Sequence, residues 1–280
     1  MKDFIEIDAK ASSPFAIDRV HDMTAYVAID RDTLSFACTI QDISFPVYFF
    51  RAVYPSDAHD GLQRLINDLP ILSFPFRSTE ISFQDDSPFV VIPEDLTSGA
   101  TPSEWLSIAG DISNKEPLCC DFDEEQLRVI YSIPLDVYGF CSRSFSMPHF
   151  GHSLLPHIRI SLRNSRIQTK QLVSVIYESD QLQVVVACEG SLLLANRYSV
   201  AGLNDILYYI TAIYRQFKLD PSCVPLYLYS SHISPQLTSD LRQYISTIAI
   251  NEFRGLEIGE IMAKQYRKIP PHTIWELLCE

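Results

Sequence analysis

Apolar and β-branched residues cluster in short bursts along the first part of the chain, at 21–29 (HDMTAYVAI), 33–40 (TLSFACTI) and 45–53 (FPVYFFRAV), with brief polar turns between them. Three such runs in succession predict an antiparallel meander. At 57–69 the rhythm changes: Leu62, Leu65, Ile66 and Leu69 recur at intervals of three and four, which is helical spacing. Pro70, Pro75 and Pro88 break that pattern, and extended segments are expected at 78–83 and 89–92.

Residues 93–126 carry no clear period. They hold Pro93, Gly99, Pro102, Gly110 and Pro117 and close on the acidic run Asp121-Phe122-Asp123-Glu124-Glu125. The expectation here is a poorly structured stretch with one short helix near 103–108, capped by Thr101 or Ser103. The acidic run reads as a solvated loop, because it lacks the ligand spacing of a cation-binding loop.

Beyond it, 127–133 (LRVIYSI) predicts a strand, and 135–145 and 154–162 predict helices with a loop between them. The opening pattern then returns. Strands are expected at 170–177, 181–188 and 191–198, with Glu189-Gly190 as a hairpin turn. At 203–217, residues Leu203, Ile206, Leu207, Ile210, Ile213, Tyr214 and Phe217 fall on one broad face, the clearest helix in the chain. A short strand follows at 224–229. Ser234-Pro235 opens a further helix, Ser as N-cap and Pro in the first turn, running to about residue 246. A last strand is expected at 247–251.

The second half therefore reads β-β-β-α-β-α-β, and the first half opens with the same β-β-β-α. No residue identity links the copies, so the repetition is one of element order. It suggests a duplicated domain, with lobes at 1–169 and 170–280.

Composition narrows the function. With 47% hydrophobic residues over 280 positions, a sizeable core is available, and 16 Phe and 14 Tyr exclude a disordered chain. The net charge of −13 and isoelectric point near 4.9 argue against binding nucleic acid, which needs clustered Lys and Arg, and against an anionic membrane surface. The opening MKDFIEIDAK has no basic-then-apolar leader pattern, and no apolar run is long enough to span a bilayer. The expectation is a cytoplasmic protein. Seven scattered cysteines without a C-x-x-C pair read as reduced structural thiols, neither a disulfide framework nor a zinc site.

The segment from Gln171 to about Ser246, containing VSVIYES, QLQVVVACEGSLLLANRYSV and NDILYYITAIYRQFKLDPSCVPLYLYSSHIS, resembles a bacterial family of unknown function with an actin-like ATPase fold. Its most specific stretch runs from the strand 191–198 through Asp205-Ile206-Leu207-Tyr208-Tyr209 to Leu219-Asp220-Pro221. Pro148-His149-Phe150-Gly151-His152-Ser153-Leu154-Leu155 is similar to that family as well. The resemblance covers the last 130 or so residues. It implies an α/β architecture of two ribonuclease-H-like lobes, each on a β-β-β-α-β-α-β plan, as in actin, sugar kinases and heat-shock ATPases.

An active member of that superfamily would cradle ATP between two hairpins. Glycines let backbone amides approach the phosphates, and a carboxylate holds hydrated Mg²⁺. Val27-Ala28-Ile29-Asp30-Arg31-Asp32-Thr33 resembles the superfamily's Ile-Asp-x-Gly-Thr, with Asp32 where the glycine belongs. That substitution puts bulk and negative charge against a phosphate. The second hairpin, Ile176-Tyr177-Glu178-Ser179-Asp180-Gln181, contains no glycine, and the Gly-Gly turn expected for the adenosine is absent from Tyr229-Ser230-Ser231-His232. Asp30, Asp32, Thr33 and Glu178 are the candidate cleft residues, each with a plainer reading as a polar turn residue.

Other constellations are weaker. His149, His152 and His157 lie close in sequence, but Pro148, Gly151 and Pro156 keep them off one helical face, so a zinc site is not expected. His149 and His152 are instead candidates for contacting a partner, or His152 for capping the helix that follows. Arg159, Arg163 and Arg166 would share a helix face, ordinarily a solvated one. No Gly-x-Ser-x-Gly elbow or phosphate-loop lysine motif occurs. The sequence thus points to an actin-like protein with a degenerate nucleotide site and no cofactor, binding a protein or small ligand between its lobes. The alternative is a nucleotide-binding protein or ATPase using ATP with Mg²⁺ at an atypical site.

Overall fold

The computed structural model describes residues 17–31, 33–40, 48–53, 58–168, 170–178, 180–231 and 233–251. They form two compact units, the first ending at Leu155 and the second beginning at Pro156.

In the first unit, a 3₁₀ turn (Ile17–Asp22) leads into the meander β1 (Met23–Ile29), β2 (Thr33–Ile40) and β3 (Tyr48–Val53). Helix α1 (Ala58–Asp68) crosses to β4 (Ser78–Phe83), which lies parallel to β1, and β8 (Pro148–His152) adds a parallel edge strand in the order β3-β2-β1-β4-β8. Every residue of β1 is buried. A strand covered on both faces reads as a continuous apolar run instead of an alternating one, as MTAYVAI does.

Between β4 and β8 the chain inserts a second layer: β5 (Phe89–Pro93), α2 (Pro102–Ala109), β6 (Lys115–Phe122), β7 (Leu127–Pro134) and α3 (Leu135–Ser144). The three strands form an antiparallel sheet in the order β5-β7-β6. Leu106 of α2 packs into a small core with Ile92 and Ile130. Residues 93–126 are therefore ordered here, contrary to the expectation from their composition. Helix α2 is fixed by a capping box in which the Thr101 side chain accepts from the Glu104 amide and Glu104 accepts from the Thr101 amide. Strand β6 escaped notice because KEPLCCDF lies mostly half-exposed and shows no alternation. The acidic run splits: Asp121 is in β6 and pairs with Arg128 of β7 at 2.5 Å, while Asp123–Gln126 make the turn.

Strand β8 is a second correction, since 148–153 reads as a loop. Proline and glycine in five residues suppress the strand signal, but an edge strand tolerates a missing N–H.

The second unit repeats the plan. Helix α4 (Leu154–Gln168) enters it, followed by β9 (Gln171–Glu178), β10 (Gln181–Cys188), β11 (Ser191–Ser199), α5 (Leu203–Gln216), β12 (Leu226–Tyr229), α6 (Pro235–Leu241) and β13 (Ile248–Ile250). The strand order β11-β10-β9-β12-β13 matches that of the first unit position for position. Glu189 and Gly190 both take positive φ, 50° and 84°, which closes the β10–β11 hairpin tightly. A Cβ at Gly190 would come within 2.8 Å of Arg166 Nε.

One face of this sheet presents Val173, Val175, Leu182, Val184, Val186, Leu226 and Leu228 to Ile206, Ile210 and Ile213 of α5 and Leu237 and Leu241 of α6. The opposite face meets α4, tied on by His157 Nε2 to Ser174 Oγ at 2.8 Å and by the Gly190 amide donating to Ser165 Oγ at 2.9 Å. Helix α6 is capped by Ser234 and ends sooner than its sequence suggests, at Leu241.

Ile210 is fully buried at the centre of α5. Ile210→Ala is expected to cost about 2–5 kcal/mol of stability in urea unfolding, through lost transfer energy and the cavity left behind. Cys38 and Cys141 are buried, and that desolvation pushes both thiols up to about 12. Iodoacetamide at pH 8 should label exposed Cys119 and Cys223 in the native protein and reach Cys38 and Cys141 only on denaturation, as read by peptide mass spectrometry.

Candidate functional site

In sheets of this kind, ligands gather beyond the carboxyl ends of the parallel strands. In the first unit those ends belong to β1, β4 and β8, stitched together by the Gln84 amide donating to the Ile29 carbonyl (2.9 Å) and the Ser153 amide to the Phe83 carbonyl (3.2 Å). Asp30 stands just past β1, half-buried. Its amide donates to the Thr33 carbonyl at 2.9 Å, closing the β1–β2 turn, and its Oδ1 accepts from the Arg31 amide at 2.7 Å. Thr33 is the first residue of β2, paired with Val53. Asp32 lies outside the described residues.

The loop after β4 meets this turn. Arg31 Nη2 pairs with Asp86 Oδ2 at 2.5 Å. Asp85 accepts from the Ser87 amide (2.7 Å) and hydroxyl (2.6 Å), and Lys115 Nζ from the inserted sheet donates to Ser87 Oγ at 2.8 Å. The strand ends of the first unit thus carry charged groups of both signs engaged with their neighbours. In the sequence, only the Asp-Asp-Ser triplet after a short strand hints at Asp85, Asp86 and Ser87, and nothing marks Lys115.

In the second unit the corresponding ends are those of β9, β12 and β13. Glu178, the last residue of β9, accepts a hydrogen bond from the Ser231 amide through Oε1. Asn251, directly after β13, clamps the neighbouring residue from both sides: Oδ1 accepts from the Ser230 amide at 3.0 Å, and Nδ2 donates to the Ser230 carbonyl at 2.9 Å. Its own amide donates to the Leu228 carbonyl at 2.9 Å, and it adopts φ 47°, a conformation asparagine tolerates better than most residues. Ser230 is buried. The exit of β12 is therefore latched by two side chains of the same unit, Glu178 and Asn251, and only Glu178 is a candidate from the sequence.

The histidines separate. His149 is exposed on β8, its Nδ1 2.9 Å from Glu80 Oε1. His152 is buried, its ring packed by Phe89 and Tyr131, and its Nδ1 accepts from the Leu154 amide at 3.0 Å, so it supports the start of α4. Burial keeps the His152 ring from any surface partner. His157 is buried against Ser174. Among the described residues, no group of three His, Cys, Asp or Glu side chains is placed to hold a metal ion. No helix among them is long and apolar enough to cross a membrane.

Residues 12–248 match the family described as "Protein of unknown function (DUF3822)", and the chain belongs to that family. No curated protein matches it significantly in sequence. Among solved structures, it is similar to a Bacteroides thetaiotaomicron protein described as having an actin-like ATPase fold and unknown function. The two share 17% identity and a TM-score of 0.78 over 85% of this chain and 94% of that one. A second similar structure is the PilM-PilN type IV pilus biogenesis complex, at 10% identity and a TM-score of 0.57 over 92% of this chain and 98% of that one. The fold is that of the actin-like ATPases, as the resemblance implied.

The Asn251 clamp makes a measurable prediction. Asn251→Ala leaves the buried amide and carbonyl of Ser230 without this partner, and is expected to cost about 1–3 kcal/mol in equilibrium urea unfolding, with an unchanged m-value.

Proposed function

We propose that this DUF3822 protein is a non-catalytic binding or scaffold protein, a pseudo-ATPase whose nucleotide site has decayed while its fold persisted. The observation that carries this reading is the fate of the amides beyond β12. A nucleotide-binding loop keeps its backbone donors available for the ligand. Here the Ser230 and Ser231 amides donate to Asn251 and Glu178. The residues do not fit ATP with Mg²⁺ at the other positions either. Asp30 accepts from its own turn, and the turns after β1 and β9 contain no glycine. Glycine is the residue that lets a backbone come closest to a phosphate, and neither turn supplies one.

What remains is a chain of net charge −13 suited to association in the cytoplasm, with a protein or small molecule as its partner. The fold is compatible with that role: PilM, of similar fold, occurs in a complex with PilN. Fold alone confers no activity, so the assignment rests on the engaged amides.

Calorimetric titration with ATP and ADP, with and without Mg²⁺, tests the reading. The expected result is no binding tighter than about 100 µM, roughly −5.5 kcal/mol, and no shift in melting temperature. Tighter binding, followed by hydrolysis, would establish the protein as an ATPase with an atypical site.

A further inference from the structure

The second unit holds a cavity of about 400 Å³ where the end of α5 meets the segment after α6. That volume falls in the range of small-ligand sites. Tyr214, Leu219, Pro221 and Tyr244 form its walls, and Arg215 and Lys218 also line it.

Most of the polar atoms around it are already engaged. The Tyr214 hydroxyl donates to the Val224 carbonyl at 3.1 Å. Three of the last four carbonyls of α5 accept backbone amides: Ile213 from Phe217 (3.0 Å), Tyr214 from Leu219 (2.9 Å) and Arg215 from Lys218 (3.2 Å). Asp220, the acid next in sequence, directs its carboxylate to the amide and hydroxyl of Ser222 at 2.9 and 2.6 Å. Among the described residues, neither Arg215 nor Lys218 makes an ion pair. Lys218 moreover sits at φ 53°, at the helix-ending position that ordinarily goes to glycine. Two cations without counter-charges beside an aromatic and aliphatic wall, on a strongly acidic protein, have the complementarity of a site for an apolar anion.

We propose that this cavity binds a small apolar carboxylate. Its hydrocarbon or aromatic body lies against Tyr214, Leu219, Pro221 and Tyr244, and its carboxylate meets Arg215 and Lys218. The site is separate from the strand-end loops, and the proposal does not depend on the pseudo-ATPase reading.

Octanoate and octan-1-ol share a hydrocarbon body and differ in charge, so titrating each into the ¹⁵N-labelled full chain separates the two contributions. Octanoate is expected to shift the Leu219 and Tyr244 amides saturably and to bind about tenfold more tightly than the alcohol, a factor equivalent to about 1.4 kcal/mol. Arg215→Gln combined with Lys218→Gln changes two exposed residues. It should abolish that advantage, leaving octanol affinity and melting temperature unchanged. The proposal is overturned if octanoate moves no amide at the cavity, binds no better than octanol, or keeps its advantage in the double variant.

Discussion

A buried peptide group must find a hydrogen-bond partner, and the exit of β12 is organised around that requirement. Ser230 is buried, so its amide and carbonyl must be satisfied by a bound ligand, by water or by the chain itself. The chain supplies Asn251, whose carboxamide offers one acceptor and one donor to the two groups. Glu178 serves the next amide. A primary carboxamide matches a peptide unit in both polarity and shape, and Asn251 is held in register because β13 pairs with β12 immediately before it. The arrangement stabilises the loop and engages the Ser230 and Ser231 amides within the chain. On the proposed pseudo-ATPase reading, the bonds that stabilise the loop are the same ones that occupy donors a nucleotide would use.

The two units share a strand order but treat their strand ends differently. In the second unit the ends are locked by uncharged and carboxylate acceptors on backbone amides. In the first, the inserted sheet brings Lys115 to the β4 loop, and Arg31 joins the β1 turn to Asp86. That ion pair is exposed, with both side chains more than half accessible, so its net contribution is small.

Much of this architecture was legible in the sequence because strands covered on both faces read as apolar runs between turns and α5 keeps the helical period. Met23–Ile29 and Gln181–Cys188 are such runs, and α5 displays an unbroken apolar face. The elements that escaped were those held by context. Strand β6 exists because β7 offers a partner, and β8 because β4 does; neither has a periodic pattern of its own. Among the site residues, the glycine-poor turns announced a departure from the nucleotide-binding pattern. Asn251 did not stand out, because a single Asn after three apolar residues carries its meaning only when β13 is placed beside β12. His149 and His152, neighbours in sequence, part because one lies at the surface and the other under the aromatic rings of Phe89 and Tyr131.

Amide hydrogen exchange at Ser230 and Ser231, followed with and without millimolar Mg²⁺–ATP, reads out whether these donors are engaged by the chain or held for a ligand. If Asn251 and Glu178 hold these amides, both are protected in the free protein, and nucleotide leaves their exchange rates unchanged. Fast exchange in the free protein, slowed on adding Mg²⁺–ATP, would show donors kept for a ligand and contradict the account.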